Sequence, residues 1–124
     1  YEPFDFVKSI HKLIKKGGYC LVTTLGYEGF DILTLGKKSN SISPPHHLNF
    51  PSLKGFEILF KNAGFSKVHI ITPGVLDVDI VLNSDFSSDF IDILNTRGSE
   101  AMNDFQNFLT KYKLSSHVWV LASK

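Results

Sequence analysis

The uncharged run at residues 19–25 constrains the fold of this chain more than any other feature. It contains aromatic and β-branched residues, which is typical of a strand that is covered on both faces. Two lysines and two glycines occupy positions 15–18, just before the run. Lysines favour the C-terminal end of a helix, and a glycine there can adopt the left-handed cap. We therefore predict a helix, a turn and a buried strand of an α/β sheet. Because such sheets bind ligands at the carboxyl ends of their strands, we expect the functional site in the segment after Leu25.

Length, charge and cysteine content limit the classes of function that we consider. The 124 residues are enough for one domain with a modest core, which we take to span residues 1–124. A formal net charge of +1 gives no electrostatic reason to expect nucleic acid or an anionic membrane as a partner. The single cysteine, Cys20, lies inside the apolar strand and cannot form an internal disulfide. We therefore predict a cytoplasmic protein that binds neither nucleic acid nor membrane.

Capping residues and hydrophobic periodicity predict the other elements. Pro3 suits the first turn of a helix, and apolar residues at helical spacing follow it. Ser52, Ser99 and either Ser87 or Ser88 are suitable N-caps of later helices. The predicted helices span residues 3–16, 52–63, 75–83, 88–96 and 99–113, and the predicted strands span residues 19–25, 67–72 and 116–123.

The stretch at residues 75–82 is ambiguous between a strand and a helix. Its apolar and acidic residues alternate, as in a strand. Asp77 and Asp79 would also suit the first turn of a helix, where the helix dipole favours negative charge. We predict the helix. These two carboxylates could also bind a cation, but their position at a helix start already explains them, and we predict no metal site.

Residues 26–51 contain repeated prolines and glycines and show little periodicity beyond a short helical turn predicted at 29–35. A connection of this length in a compact domain is usually either disordered or functional. Its aromatic and apolar residues favour an ordered segment. We therefore expect it to form a lid or a wall of a binding site.

His46 and His47 are the best candidates for chemistry in this segment. They follow two prolines that restrict the backbone, and an imidazole can serve as a general base on an acceptor hydroxyl or amine. The alternative is that a histidine only holds the loop by bonding its backbone. Asn49 could orient a substrate or cap a turn. Metal binding is disfavoured, because adjacent histidine side chains point apart.

In order and spacing, several of these motifs resemble the C-terminal half of class I S-adenosylmethionine-dependent methyltransferases. The matching features are the helix that leads through Gly17 and Gly18 into its strand, the segment at 44–52, the helix that ends at 63–65, and the closing strand. The resemblance implies a partial Rossmann-like α/β fold with a small mixed three-stranded sheet. The three strands would be strands five, six and seven of the family, in the order 5-7-6, with the last strand central and antiparallel. The helical insertion at 75–114 departs from the family plan.

The resemblance also implies a function and a set of site residues. The whole protein would transfer a methyl group from S-adenosylmethionine to a small-molecule acceptor. His47 would be the base or orienting residue, with His46 a weaker candidate. From their positions in the sequence, Tyr27, Phe30 and Asn49 are further candidates for contact with the acceptor, although packing within the loop is the favoured alternative for Tyr27 and Phe30.

The family's glycine-rich cofactor turn is missing from the sequence. The glycines at 26–29 lack its spacing, so we predict no cofactor-binding residue in this chain and expect the fragment alone to be inactive. Its partners would be the acceptor or a missing N-terminal cofactor half. The alternative is a non-catalytic interaction module, in which the helical insertion is the contact surface and the chain forms a homo-oligomer.

Overall fold

The structure is a computed structural model that describes residues 3–38 and 51–124. The ordered elements of these ranges are α1 (Pro3–Leu13), β1 (Tyr19–Leu25), α2 (Phe30–Leu35), α3 (Leu53–Asn62), β2 (Lys67–Ile71), α4 (Asp77–Leu82), α5 (Asp89–Thr96), α6 (Ser99–Lys111) and β3 (His117–Ser123). A short 3-10 turn at Gly36–Lys38 follows α2. None of the helices in these ranges combines the length and the apolar character needed to cross a bilayer.

The three strands form one sheet in the order β1-β3-β2, which is the order that the family resemblance implied. Both pairings are antiparallel, so β1 and β2 run in the same direction on either side of β3. Val120 lies opposite Val22 on one side and opposite Ile70 on the other. The carboxyl ends of β1 and β2 therefore lie next to the start of β3, at the same end of the strands.

One face of the sheet packs against α1 and α3 to form the first hydrophobic core. Alternate residues of β3 point into it, and Val118, Val120 and Ala122 are completely buried. The opposing helices contribute Val7 from α1 and Phe60 from α3. The period of two in β3 thus determines which of its side chains enter the core.

The prediction that the first strand is covered on both faces is wrong. Tyr19 is 72% exposed and Leu21 is 55% exposed, because α1 and α3 both pack on the opposite face. A strand without charged residues is compatible with one covered face or with two, so the sequence could not distinguish the two cases. We call the exposed side the open face; its large apolar residues are Tyr19, Leu21, Ile71, Trp119 and Leu121.

A second core lies among the helices α2, α4, α5 and α6. Val81 and Ile91 are completely buried there, together with Leu35 from α2. The ring of Phe30 meets that of Phe105 edge-on, with 5.2 Å between centroids. The predicted insertion at 75–114 is therefore helical, and α2 packs with it.

Two helix ends differ from the prediction for clear physical reasons. The first helix ends at Leu13 rather than at residue 16, because Gly17 and Gly18 join Lys124 in backbone hydrogen bonds that extend the sheet. At α6, Gly98 is the N-cap, with a φ of 105°, and the predicted cap Ser99 is already helical. The other boundaries agree with the prediction within two residues.

Two predicted N-caps are confirmed. The Ser52 hydroxyl accepts the Gly55 N–H at 2.9 Å at the start of α3. The Ser88 hydroxyl accepts the Ile91 N–H at 3.1 Å at the start of α5. Each bond satisfies one of the N–H groups that have no partner within the first turn of a helix.

Candidate functional site

A cavity of about 380 Å³ opens at the sheet edge where β1 and β2 end and β3 begins. This is the edge at which α/β sheets bind their ligands. Its walls come from the end of β1, the β2–α4 connection, α4 and the start of β3. The lining residues are Leu25, Pro73, Gly74, Val75, Leu76, Asp77, Ile80, Ser115, Ser116, His117 and Trp119.

The β2–α4 connection is fixed to α6 at Gly74. The Gly74 carbonyl accepts the Thr110 hydroxyl at 2.6 Å and the Gln106 side-chain amide at 3.2 Å. A Cβ on Gly74 would overlap the Ser115 hydroxyl. Glycine is therefore required here because two chain segments approach closely, and this approach sets the position of the cavity wall.

Asp77, at the start of α4, is only 2% exposed. Its buried carboxyl group joins α4 to α6 and to the residues that precede β3. One oxygen accepts the Ser116 N–H at 2.8 Å. The other accepts the Ser115 hydroxyl at 2.6 Å and the Gln106 amide at 2.9 Å. We call these four residues the Asp77 network. It links α4 and α6 to the two residues that precede β3.

The first turn of α2 packs closely on the same residues. The Phe30 N–H donates to the Leu114 carbonyl at 2.8 Å. A Cβ on Gly29 would overlap the backbone of Ser116. Gly29 therefore lets α2 approach the start of β3 closely enough to bury the next residue, Asp31.

Asp31 is fully buried beside the Asp77 network. Neither of its oxygen atoms has a hydrogen-bond partner of good geometry among the described residues, although Ser116 and Asp77 lie near enough to act on its pKa. Burial raises the pKa of the Asp31 carboxyl, the Ser116 hydroxyl opposes part of that rise, and the charge of Asp77 adds to it. Asp31 is thus a carboxyl group that this site favours in its neutral form.

His117 and Trp119 stand side by side at the cavity. They are two residues apart on β3 and therefore share a face of the sheet. The indole N–H of Trp119 donates to Nε2 of His117 at 3.0 Å. Because Nε2 is the acceptor, the neutral imidazole has its proton on Nδ1.

Of the predicted site residues, His46, His47 and Asn49 lie outside the described residues. Tyr27 is exposed, and Phe30 packs on Phe105 in the second core. Neither is among the residues that line the cavity. Their proposed contacts with an acceptor remain predictions.

Sequence reasoning missed His117, Trp119 and the role of Asp77. The alternation in β3 could have shown that His117 and Trp119 share a face at the ligand-binding edge. No local signal identifies Asp77 as buried, because a carboxylate in a first helical turn is usually exposed.

Two other sources of chemistry are disfavoured in the part of the chain that the structure describes. No three His, Cys, Asp or Glu side chains come together there as a metal site. Burial raises the pKa of the Cys20 thiol, which disfavours the nucleophilic thiolate. The polar side chains of the cavity lining are the His117 imidazole, the Ser115 and Ser116 hydroxyl groups, the Asp77 carboxyl group and the Trp119 indole.

No protein-family model matches the sequence, and no curated protein is significantly similar to it. Among solved structures, the chain is similar to a Haemonchus contortus phospholethanolamine N-methyltransferase 2 in complex with phosphomonomethylethanolamine and S-adenosylhomocysteine. The sequence identity is 18% and the TM-score is 0.48. The match covers 98% of this chain and 30% of that one, so this chain spans less than a third of the length of that protein.

The buried carboxyl group of Asp31 gives a testable dependence of stability on pH. Because its pKa is raised in the folded state, folding loses stability as pH rises above the ordinary aspartate pKa, and the loss persists at neutral pH. Asp31→Asn should therefore raise the free energy of unfolding by about 1 to 3 kcal/mol at pH 7, and this gain should shrink as pH falls towards about 4. Urea denaturation of the two proteins at several pH values measures the gain in stability and its dependence on pH.

Asp104→Asn is the matched control for this prediction, because Asp104 is exposed on α6. It should change the free energy of unfolding by less than about 0.5 kcal/mol at either pH. If Asp31→Asn raises the free energy of unfolding equally at both pH values, or lowers it at pH 7, the pKa of Asp31 is not raised in the folded protein.

Proposed function

We propose that this chain is the C-terminal, acceptor-side part of an S-adenosylmethionine-dependent methyltransferase. The whole protein transfers a methyl group from S-adenosylmethionine to a small-molecule acceptor. The observation that carries the proposal is the strand order, in which the last strand is central and antiparallel to both neighbours. The methyltransferase resemblance implies this arrangement for strands five, six and seven of the family.

Among residues 3–38 and 51–124, β1 is an edge strand, which supports the proposal that the sheet continues beyond this chain. Gly26 and Gly18 form the backbone hydrogen bonds to β3 that flank the strand, with Ser116 and Lys124 as partners. Because hydrogen-bonding residues alternate along an antiparallel strand, the odd-numbered residues of β1 direct their backbone N–H and C=O groups away from β3. These residues are Tyr19, Leu21, Thr23 and Leu25. An uncharged edge strand of this kind is a template for pairing with a further strand.

The open face supports the same conclusion. Its large apolar side chains form a contiguous surface across the three strands, as the pairing of Leu21 with Leu121 and of Ile71 with Trp119 indicates. A contiguous exposed apolar patch on a folded domain marks a surface that another element covers. In the proposed whole protein, the missing N-terminal half covers the part of this face that lies away from the cavity, and it supplies the strand beside β1.

The described residues after β1 do not form a nucleotide-binding turn. The Gly26 N–H bonds the Ser116 carbonyl at 2.8 Å, and the Gly29 N–H bonds the Gly26 carbonyl at 3.3 Å. Both glycine N–H groups are therefore already used by the chain itself, and Gly29 is packed against Ser116. S-adenosylmethionine does not fit these residues, and in the proposal its site belongs to the part of the protein outside this chain.

The acceptor side of the site is the cavity together with the segment that contains His47. That segment rejoins the described structure at Pro51, close to the end of β1, because a Cβ on Gly26 would lie 3.7 Å from the Pro51 carbonyl. In the proposal His47 acts as the base or orienting residue, with His46 the weaker candidate.

A second candidate function is that of a non-catalytic interaction module. The observation that favours it is a set of half-exposed aromatic side chains on the helical insertion. These are Phe86, Phe90, Phe108 and Tyr112. Their rings would form the contact surface with a partner or with a second copy of the chain.

Isothermal titration calorimetry with S-adenosylhomocysteine distinguishes the two functions. The full-length protein should bind it with one-to-one stoichiometry, whereas residues 1–124 alone should give no heat, because the described glycines do not form the cofactor turn. The absence of heat from the full-length protein at millimolar ligand would remove the methyltransferase proposal. The interaction module would then be the better account.

His47→Ala in the full-length protein tests the proposed base. General-base catalysis contributes about 10² to 10⁴-fold, so kcat should fall by at least about 10²-fold while the affinity for S-adenosylhomocysteine is unchanged. Steady-state kinetics with release of S-adenosylhomocysteine as the readout measures the change. His46→Ala is the adjacent control and should have the smaller effect. Unchanged kcat in His47→Ala would remove His47 from the mechanism.

A further inference from the structure

We infer that the cavity binds a flat, uncharged, largely apolar molecule, such as an aromatic ketone. The oxygen atom of this molecule would accept a hydrogen bond from His117. As a statement about binding, this inference stands apart from methyl transfer.

The size and walls of the cavity fit a small ring system. Its volume of about 380 Å³ lies within the range of roughly 300 to 1,000 Å³ that is typical of small-molecule sites. Most of its lining is apolar, and the side chains of Val75, Leu76 and Trp119 remain partly exposed to solvent. A flat ligand would remove this apolar surface from water and lie against the indole ring.

The polar groups around the cavity are mostly bonded to one another already. The Ser115 hydroxyl donates to Asp77, and the Ser116 N–H does the same. The Ser116 carbonyl accepts the Gly26 N–H, and the Gly74 carbonyl accepts two side-chain donors. These groups are therefore poor anchors for a ligand.

The imidazole of His117 is a side-chain group of the lining that keeps a donor for a ligand. Its Nε2 accepts the Trp119 N–H, and an indole N–H can act only as a donor. This bond fixes the lone pair of the neutral ring on Nε2 and the proton on Nδ1. His117 therefore presents a donor, rather than a base, and selects a ligand with an acceptor atom.

The charge of the lining decides between a neutral and an anionic ligand. None of the lining residues is a lysine or an arginine, and the lining includes the acidic residue Asp77. A phosphate or carboxylate would therefore lose its hydration without gaining a counter-charge. A neutral oxygen, such as that of a ketone, is the better match.

Trp119 is the only tryptophan in the sequence, so its indole N–H gives a single reporter signal beside the cavity. Two probes of similar shape, 1-indanone and indane, differ by the carbonyl oxygen. In ¹H–¹⁵N correlation spectra of the ¹⁵N-labelled 124-residue chain, addition of 1-indanone should shift the Trp119 indole cross-peak, and the shift should reach a plateau as the site saturates. It should bind about two- to tenfold more tightly than indane, which is the range expected for one net hydrogen bond.

The variants separate the donor from the rest of the cavity. His117→Glu keeps an acceptor for the Trp119 N–H but, as a carboxylate, has no donor, so the preference for 1-indanone over indane should be lost. His69→Glu is the matched control, because His69 lies on β2 beside Leu121 and is not among the lining residues. It should leave the affinity ratio of the two probes unchanged.

Each contrary outcome removes a definite part of the inference. If neither probe shifts the Trp119 cross-peak at millimolar concentration, the cavity is not a binding site of this class. If both probes bind the unmodified chain equally, or if His117→Glu retains the preference, His117 is not the donor. Binding of 1-indanone is independent of the calorimetry with S-adenosylhomocysteine, so the failure of one proposal is distinguishable from the failure of the other.

Discussion

The buried carboxyl group of Asp77 is the interaction on which the arrangement of this structure depends. The chain has two hydrophobic cores, one between the sheet and α1 and α3, and one among α2, α4, α5 and α6. Asp77 binds Ser115 and Ser116 at the start of β3 and Gln106 on α6. Because a buried N–H or hydroxyl without a partner costs about 1 to 3 kcal/mol, this set of bonds fixes the helical core to the sheet in one orientation.

The cavity and its chemistry follow from that attachment. The start of α4 forms one wall and the start of β3 forms another, so the Asp77 network sets the distance between them. β3 then places His117 and Trp119 on the same side of the sheet, where their mutual hydrogen bond fixes the histidine tautomer. Asp31 is buried beside the same network with its pKa raised, which makes this region less stable at neutral pH than a fully paired core would be. Functional sites often contain such unfavourable groups, and the surrounding structure compensates for them.

Much of the fold could be predicted from local pattern, but the polar network could not. Helical spacing identified the helices, and the family resemblance implied the central position of β3. The caps at Ser52 and Ser88 followed from residue type alone. The burial of Asp77 depends on contacts with residues nearly 40 positions away, which no local rule contains. The open face was missed for a similar reason, since an uncharged strand does not reveal which elements cover it.

A comparison of Asp77→Ala with Asp79→Ala by urea denaturation tests this account most directly. Both residues lie in the first turn of α4, so both variants lose the same interaction with the helix dipole, but Asp79 is exposed. The account predicts that Asp77→Ala lowers the free energy of unfolding by about 3 kcal/mol or more, because three buried donors lose their acceptor, whereas Asp79→Ala lowers it by less than about 1 kcal/mol. Equal, small losses in the two variants would contradict the claim that Asp77 holds the helical core on the sheet.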